Sequence, residues 1–136
     1  MKIIICIDER RGMLFNNRRQ SKDRVLLEDV KNIVGAKRIL CSPFSEKMLT
    51  EAGVLHISTP NFLDIASKDD FCFVEDVSIV NYVNRIDTLI VYNWNRLYPA
   101  DLRFEIIPEL CGFQKRDVFE FKGSSHEKIT RELYEK

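Results

Sequence analysis

Apolar residues fall along this chain in short runs divided by polar turns, and the runs change period as the chain proceeds. Lys2 to Ile7 is a continuous run of isoleucines and a cysteine, as a central strand buried on both faces requires. A polar loop with Gly12 and Asn16-Asn17 follows Asp8. Val25, Leu26, Asp29, Val30, Ile33 and Val34 then recur at mostly three- and four-residue spacing, which predicts a helix with Ser21 able to cap it and Gly35 able to end it. Lys37 to Ser42 reads as a second buried strand. Pro43 suits the first position of a short helix whose Phe44, Met48 and Leu49 face inward and which Gly53 closes.

The unit repeats. Val54 to Ser58 is a third strand, and Thr59-Pro60 opens a helix with Phe62, Leu63, Ile65 and Ala66 on its apolar side and Thr59 as cap. Phe71 to Val74 is a strand, Val77 to Val83 a helix and Asp87 to Asn93 a strand again. Strands and helices alternating over short connections predict a mostly parallel sheet with helical crossovers. After Arg96 to Pro108, a long polar and aromatic connection, Phe113 to Phe121 alternates as an antiparallel strand does. Ser124 to Lys136 satisfies two patterns. Ser124 with Glu127 makes a capping box and Ile129 with Leu133 a helical face, yet Ile129, Arg131 and Leu133 also alternate as in a strand.

Composition narrows the classes. At 136 residues, 45% hydrophobic and 31% charged, the chain reads as one globular domain over residues 1 to 136. No apolar stretch is long enough for a membrane span or a signal peptide, so a cytoplasmic location is expected. Cys6, Cys41, Cys72 and Cys111 each stand alone in an apolar stretch, as free thiols do, and no metal site is expected. With 21 basic and 21 acidic residues, no global field draws the chain to nucleic acid or membrane. Locally, Arg10, Arg11, Arg18, Arg19, Lys22 and Arg24 face one acid, Asp23, in a loop that can receive a phosphate or carboxylate or stay solvated.

Four segments resemble the dihydrofolate reductase family. ICIDERRGMLFNNRRQSKD is similar to the family's opening strand, aspartate, glycine and mobile loop. LIVYNWNRLYPADLRF resembles its active-site strand and following loop, with Asp101 and Phe104 at the loop's aspartate and phenylalanine. Tyr134-Glu135-Lys136 resembles the family's closing strand, and KRILCSPFSEKML its second strand and helix. The resemblance implies a dihydrofolate reductase-like α/β domain of three layers whose last segment is a strand, antiparallel to Phe113 to Phe121. KGSSHEKIT also resembles a small bacterial group labelled ribonuclease Z. That label needs a histidine-rich site for two zinc ions, and this chain has only His56 and His126.

Carried over by position, the resemblance makes Asp23 the catalytic candidate. It stands where the family's acidic residue hydrogen-bonds the pterin, with desolvation raising its pKa. A plain first-turn helix acid is the competing reading. Tyr92 falls at the active-site threonine, and Arg18, Arg19, Ser42, Ser45 and Trp94 complete a candidate ligand site. Ser124, Ser125 and His126 form an alternative site able to bind an anion or place a general base, against a structural turn.

The departures lie on the cofactor side. The family's paired glycines, which admit the pyrophosphate, are replaced after Val74 by Glu75-Asp76, whose charge repels phosphate, and the basic and threonine cluster after the second strand by Ser42-Pro43-Phe44-Ser45. The resemblance leaves a reductase-like NADPH enzyme open, while the missing glycines weigh against NADPH binding. The leading expectation is therefore a diverged reductase-like protein that binds a small planar or nucleotide-like ligand. The alternative is a non-catalytic module for a protein or nucleic-acid partner on the same scaffold. The sequence leaves oligomeric state open.

Overall fold

The computed structural model describes residues 1–136. Strand β1 (Lys2–Ile7) runs at the centre of the main sheet. A small hairpin follows, β2 (Gly12–Phe15) with β3 (Arg18–Arg19), then helix α1 (Arg24–Val34), β4 (Ile39–Cys41) and α2 (Pro43–Glu51). Next come β5 (Ile57–Ser58), the single-turn α3 (Phe62–Ile65), β6 (Phe71–Val74), a 3-10 segment over Val80–Arg85 and β7 (Thr88–Asn93). The chain closes with β8 (Leu102–Arg103), a 3-10 turn at Pro108–Cys111, β9 (Gln114–Phe121) and β10 (Ile129–Glu135).

The seven-stranded sheet has the order β5-β4-β6-β1-β7-β10-β9. Its first five strands are mutually parallel, and β10 pairs antiparallel with both β7 and β9. The ambiguous tail is therefore a strand. Its helical pattern loses because Ile129 to Glu135 bonds to a neighbour on each side, and two ladders outweigh local propensity.

Alternate residues of the central strands face two apolar layers. Ile4, Ile39, Cys41, Phe73, Ile90 and Tyr92 point to α1 and α2, packing on Leu26, Val30 and Leu49. Ile3, Ile5, Leu40, Cys72, Leu89 and Val91 point to the opposite layer with Phe62 and Leu63 of α3. Two-sided burial explains the unbroken apolar run in β1.

Several boundaries differ from the pattern. The cap of α1 is Asp23, two residues after Ser21, and its carboxylate accepts from the amides of Val25 and Leu26. At α3 the N-cap is Asn61, and the Thr59 hydroxyl donates to the Asn61 side chain instead of to a helical amide. Val77 to Val83 is not an α-helix; the tighter 3-10 segment begins at Val80, in a stretch whose β-branched residues suit an α-helix poorly. The third strand shrinks to Ile57–Ser58 at the sheet edge. A second sheet, β3-β2-β8, is absent from the hydrophobic pattern because its strands are only two to four residues long, too short to show a period. Its hairpin turns on Asn16 and Asn17, both with positive φ, the pairing that a two-residue turn of matching twist requires.

All four cysteines are free. Burial pushes the Cys41 thiol up to about 11 and the Cys72 thiol up to about 12, and burial followed by the charge of Glu75 raises Cys6. Thiolate is the reactive form. A disulfide reagent at neutral pH is therefore expected to modify Cys111 in the folded protein and the other three only after denaturation. Four fast thiols under native conditions would contradict this packing.

Candidate functional site

The β9–β10 connection folds back onto the start of α1, and Asp23 is the point of contact. One carboxylate oxygen accepts from the amides of Val25 (2.9 Å), Leu26 (3.2 Å) and Ser124 (3.0 Å). The other takes the Ser125 amide (2.9 Å), the Ser125 hydroxyl (3.2 Å) and His126 Nδ1 (2.9 Å). Gly123 permits the approach: a Cβ there would collide with the Asp23 carboxylate and come within 2.9 Å of Ile129 Cδ1. The Asp23 side chain is fully buried. Burial alone would raise its pKa, as expected from the sequence, but the amides of Ser125, Ser124 and Leu26 and the His126 ring outweigh desolvation and hold it well below the usual carboxylate range.

His126 is fixed on every side. Its Nε2 lies 3.0 Å from the Ser21 hydroxyl and 3.0 Å from the Tyr98 hydroxyl, and its ring stacks on Trp94 at 4.6 Å between centroids. Trp94 is thus buried against an imidazole and does not line the groove described below. Ser124 accepts from the Arg24 amide, so the 123–126 turn bonds to α1 at both Asp23 and Arg24.

Tyr92 sits in a separate network. Its hydroxyl donates to Asp29 at 2.6 Å, and Asp29 also receives Arg131 at 2.7 Å. Burial and then the Asp29 carboxylate raise the phenol far above its ordinary range. Tyr92 therefore ties β7 to α1 and β10.

The remaining candidates meet the protein's own acids. Arg19 makes a two-pronged contact with Glu75 at 2.6 and 2.7 Å and lies over the Phe44 ring. Ser45 donates to Glu75 at 2.7 Å and Ser42 to Asp76 at 2.9 Å. Glu75 thus occupies the first turn of α2 together with the one arginine directed there, where an anion would otherwise be received. The basic stretch is correspondingly dispersed. Arg11 bonds to the Phe104 carbonyl, Lys22 approaches Glu51, and Arg18 is exposed on β3.

Two residues outside the sequence-derived set organise the same end of the sheet. Asp8 is buried and accepts from the amides of Arg10, Gly12 and Tyr98 and from the Gln20 side chain. Ser21, read from the sequence as a helix cap, is the partner of His126. A separation of 105 positions leaves no local signal of the pair.

Two spaces adjoin these residues. A groove of about 400 Å³ lies between α1, α2 and the 123–126 turn, with Leu27, Met48 and Ala52 as apolar surface and Lys22, Arg24, Glu28, Glu51 and the two serines as polar lining. Beneath it, a cleft bordered by Cys6, Ser21, Asp23, Phe73, Glu75 and Trp94 has only about 10 Å³, room for one water. The cleft that Asp23 borders is too small for a planar ring. No three His, Cys, Asp or Glu side chains converge to hold a metal ion, and no helix is long and apolar enough to cross a membrane.

No family model and no curated protein sequence matches the chain. Among solved structures, it is similar to a dihydrofolate reductase from Enterococcus faecalis complexed with NADP(H) and RAB-propyl. The TM-score is 0.68 at 13% identity, over 98% of this chain and 94% of that one. This likeness establishes a dihydrofolate reductase-like fold and nothing about chemistry.

Asp23→Ala leaves six donors without their acceptor, and a loss of about 3 kcal/mol in urea unfolding is expected. The pH dependence has a definite sign. A folded carboxyl held below its unfolded value stabilises fully above about pH 4 and loses that contribution as pH falls further. Wild type should therefore lose stability more steeply than Asp23→Ala below pH 4, and parallel curves would contradict the assignment.

Proposed function

We propose that this chain uses a dihydrofolate reductase-like scaffold to bind a small planar or nucleotide-like molecule carrying an acidic group, without nicotinamide-dependent reduction. The observation that carries the reading is the groove of about 400 Å³ between α1 and α2, within the usual size of small-molecule sites. Leu27, Met48 and Ala52 offer apolar contact to a ring, and Arg24 can meet a carboxylate or phosphate, while Glu28 and Glu51 also line the groove and Glu51 lies 3.9 Å from Lys22. Ser124 and Ser125 add hydroxyls on the third wall. Asp23 supports this site from behind, by fixing the turn that carries those serines.

Against reduction stands the contact of Glu75 with Arg19 and Ser45. A dinucleotide would have to displace a carboxylate held by two charge-assisted bonds, and would bring phosphate beside Glu75 and Asp76.

Calorimetry with NADPH is expected to show no binding at millimolar concentration. Amide resonances of Leu27, Met48, Ala52, Ser124 and Ser125 should move together when aromatic carboxylates and nucleoside monophosphates are titrated into labelled protein. Met48→Lys should remove the response. NADPH binding, or unmoved groove resonances with every compound, would reject the reading.

A further inference from the structure

The knot around Asp23 contains a chemical arrangement that anchoring a turn does not require. Ser21 Oγ, His126 and Asp23 stand in line, with 3.0 Å from the hydroxyl to Nε2 and 2.9 Å from Nδ1 to the carboxylate. From this geometry we propose that Ser21 is a nucleophile activated by His126 and oriented by Asp23, and that the protein cleaves small esters with a short acyl group.

The proton positions follow from the acids and bases present. Asp23 is held ionised, so it accepts only, and the neutral imidazole must carry its hydrogen on Nδ1. Its Nε2 lone pair then faces two hydroxyls, Ser21 and Tyr98. Stacking on Trp94 and the Ser125 hydroxyl, 3.1 Å from Nδ1, fix the ring plane. The exposure gradient suits a nucleophile backed by a protected base, since His126 and Asp23 are buried and Ser21 is partly exposed. The cleft bordered by Ser21 admits about one water, which restricts the acyl group to a short one approaching from solvent.

The reaction balances with water as the co-reactant. The Ser21 hydroxyl proton passes to His126 Nε2 as Oγ bonds to the acyl carbon. The bond to the alkoxy oxygen then breaks, and that oxygen leaves with the proton from Nε2. Water attacks the acyl-serine, giving its proton to Nε2. The Oγ–acyl bond breaks, the proton returns to Oγ and a carboxylic acid departs.

The inference goes beyond the groove reading, because labelling of Ser21 is measured independently of any shift at Met48. The full chain would be incubated with methanesulfonyl fluoride, whose transferred group is as small as an acetyl, and digested, and p-nitrophenyl acetate hydrolysis followed in parallel. The expected results are an adduct on Ser21 and hydrolysis that falls about a hundredfold in Ser21→Ala, with unchanged thermal melting. His126→Gln, confirmed as folded by the same melting, should lose labelling to a similar extent. An unmodified Ser21, an adduct on Ser124 or Ser125 in its place, or undiminished hydrolysis by Ser21→Ala would overturn the proposal. Because Ser21→Ala removes only one hydroxyl at a partly exposed position, it keeps the test decisive even if His126→Gln fails to fold.

Discussion

The structure depends most on one buried carboxylate that joins segments 101 to 103 residues apart. Asp23 caps α1 and at the same time receives the turn that connects β9 to β10. Either task alone is common. Together they require a charged group out of solvent, which is tolerated because six donors replace its water. The contact places Ser124 and Ser125 beside the groove and sets the direction of the His126 ring. Trp94 and Tyr98, on the segment after β7, then pack and bond to that ring.

A similar replacement recurs at α2. Arg19, Ser42 and Ser45 have the chemistry of an anion site, and Glu75 and Asp76 satisfy all three from within the chain. The protein's own carboxylates thus take up the groups that could receive a bound anion. This separation of architecture from chemistry is why the structural likeness, at 13% identity, carries no activity with it.

Much of the sheet was legible in the sequence because burial on both faces leaves an unmistakable trace. The apolar runs at Lys2 to Ile7 and Phe71 to Val74 mark strands with their observed limits, and Asp87 to Asn93 begins one residue early. Elements held by contacts instead of apolar content were not legible. The β2–β3 hairpin rests on a two-asparagine turn, whereas β10 carries a strand alternation beside its helical pattern, and the strand expected from the resemblance is the one its two neighbours hold. The site was legible as separate pieces. Ser21, Asp23 and His126 each attracted notice, but no local pattern relates the second residue of the pair to the first across more than a hundred positions.

The central claim is that an ionised Asp23 holds His126 in one orientation, with hydrogen on Nδ1 and the Nε2 lone pair toward Ser21 and Tyr98. Nitrogen-15 correlation spectra of the neutral imidazole ring test this most directly. The account predicts the Nδ1-protonated tautomer with a downfield, slowly exchanging N–H proton that disappears in Asp23→Asn. An Nε2-protonated ring, or the averaged signals of a solvent-exposed histidine, would contradict it.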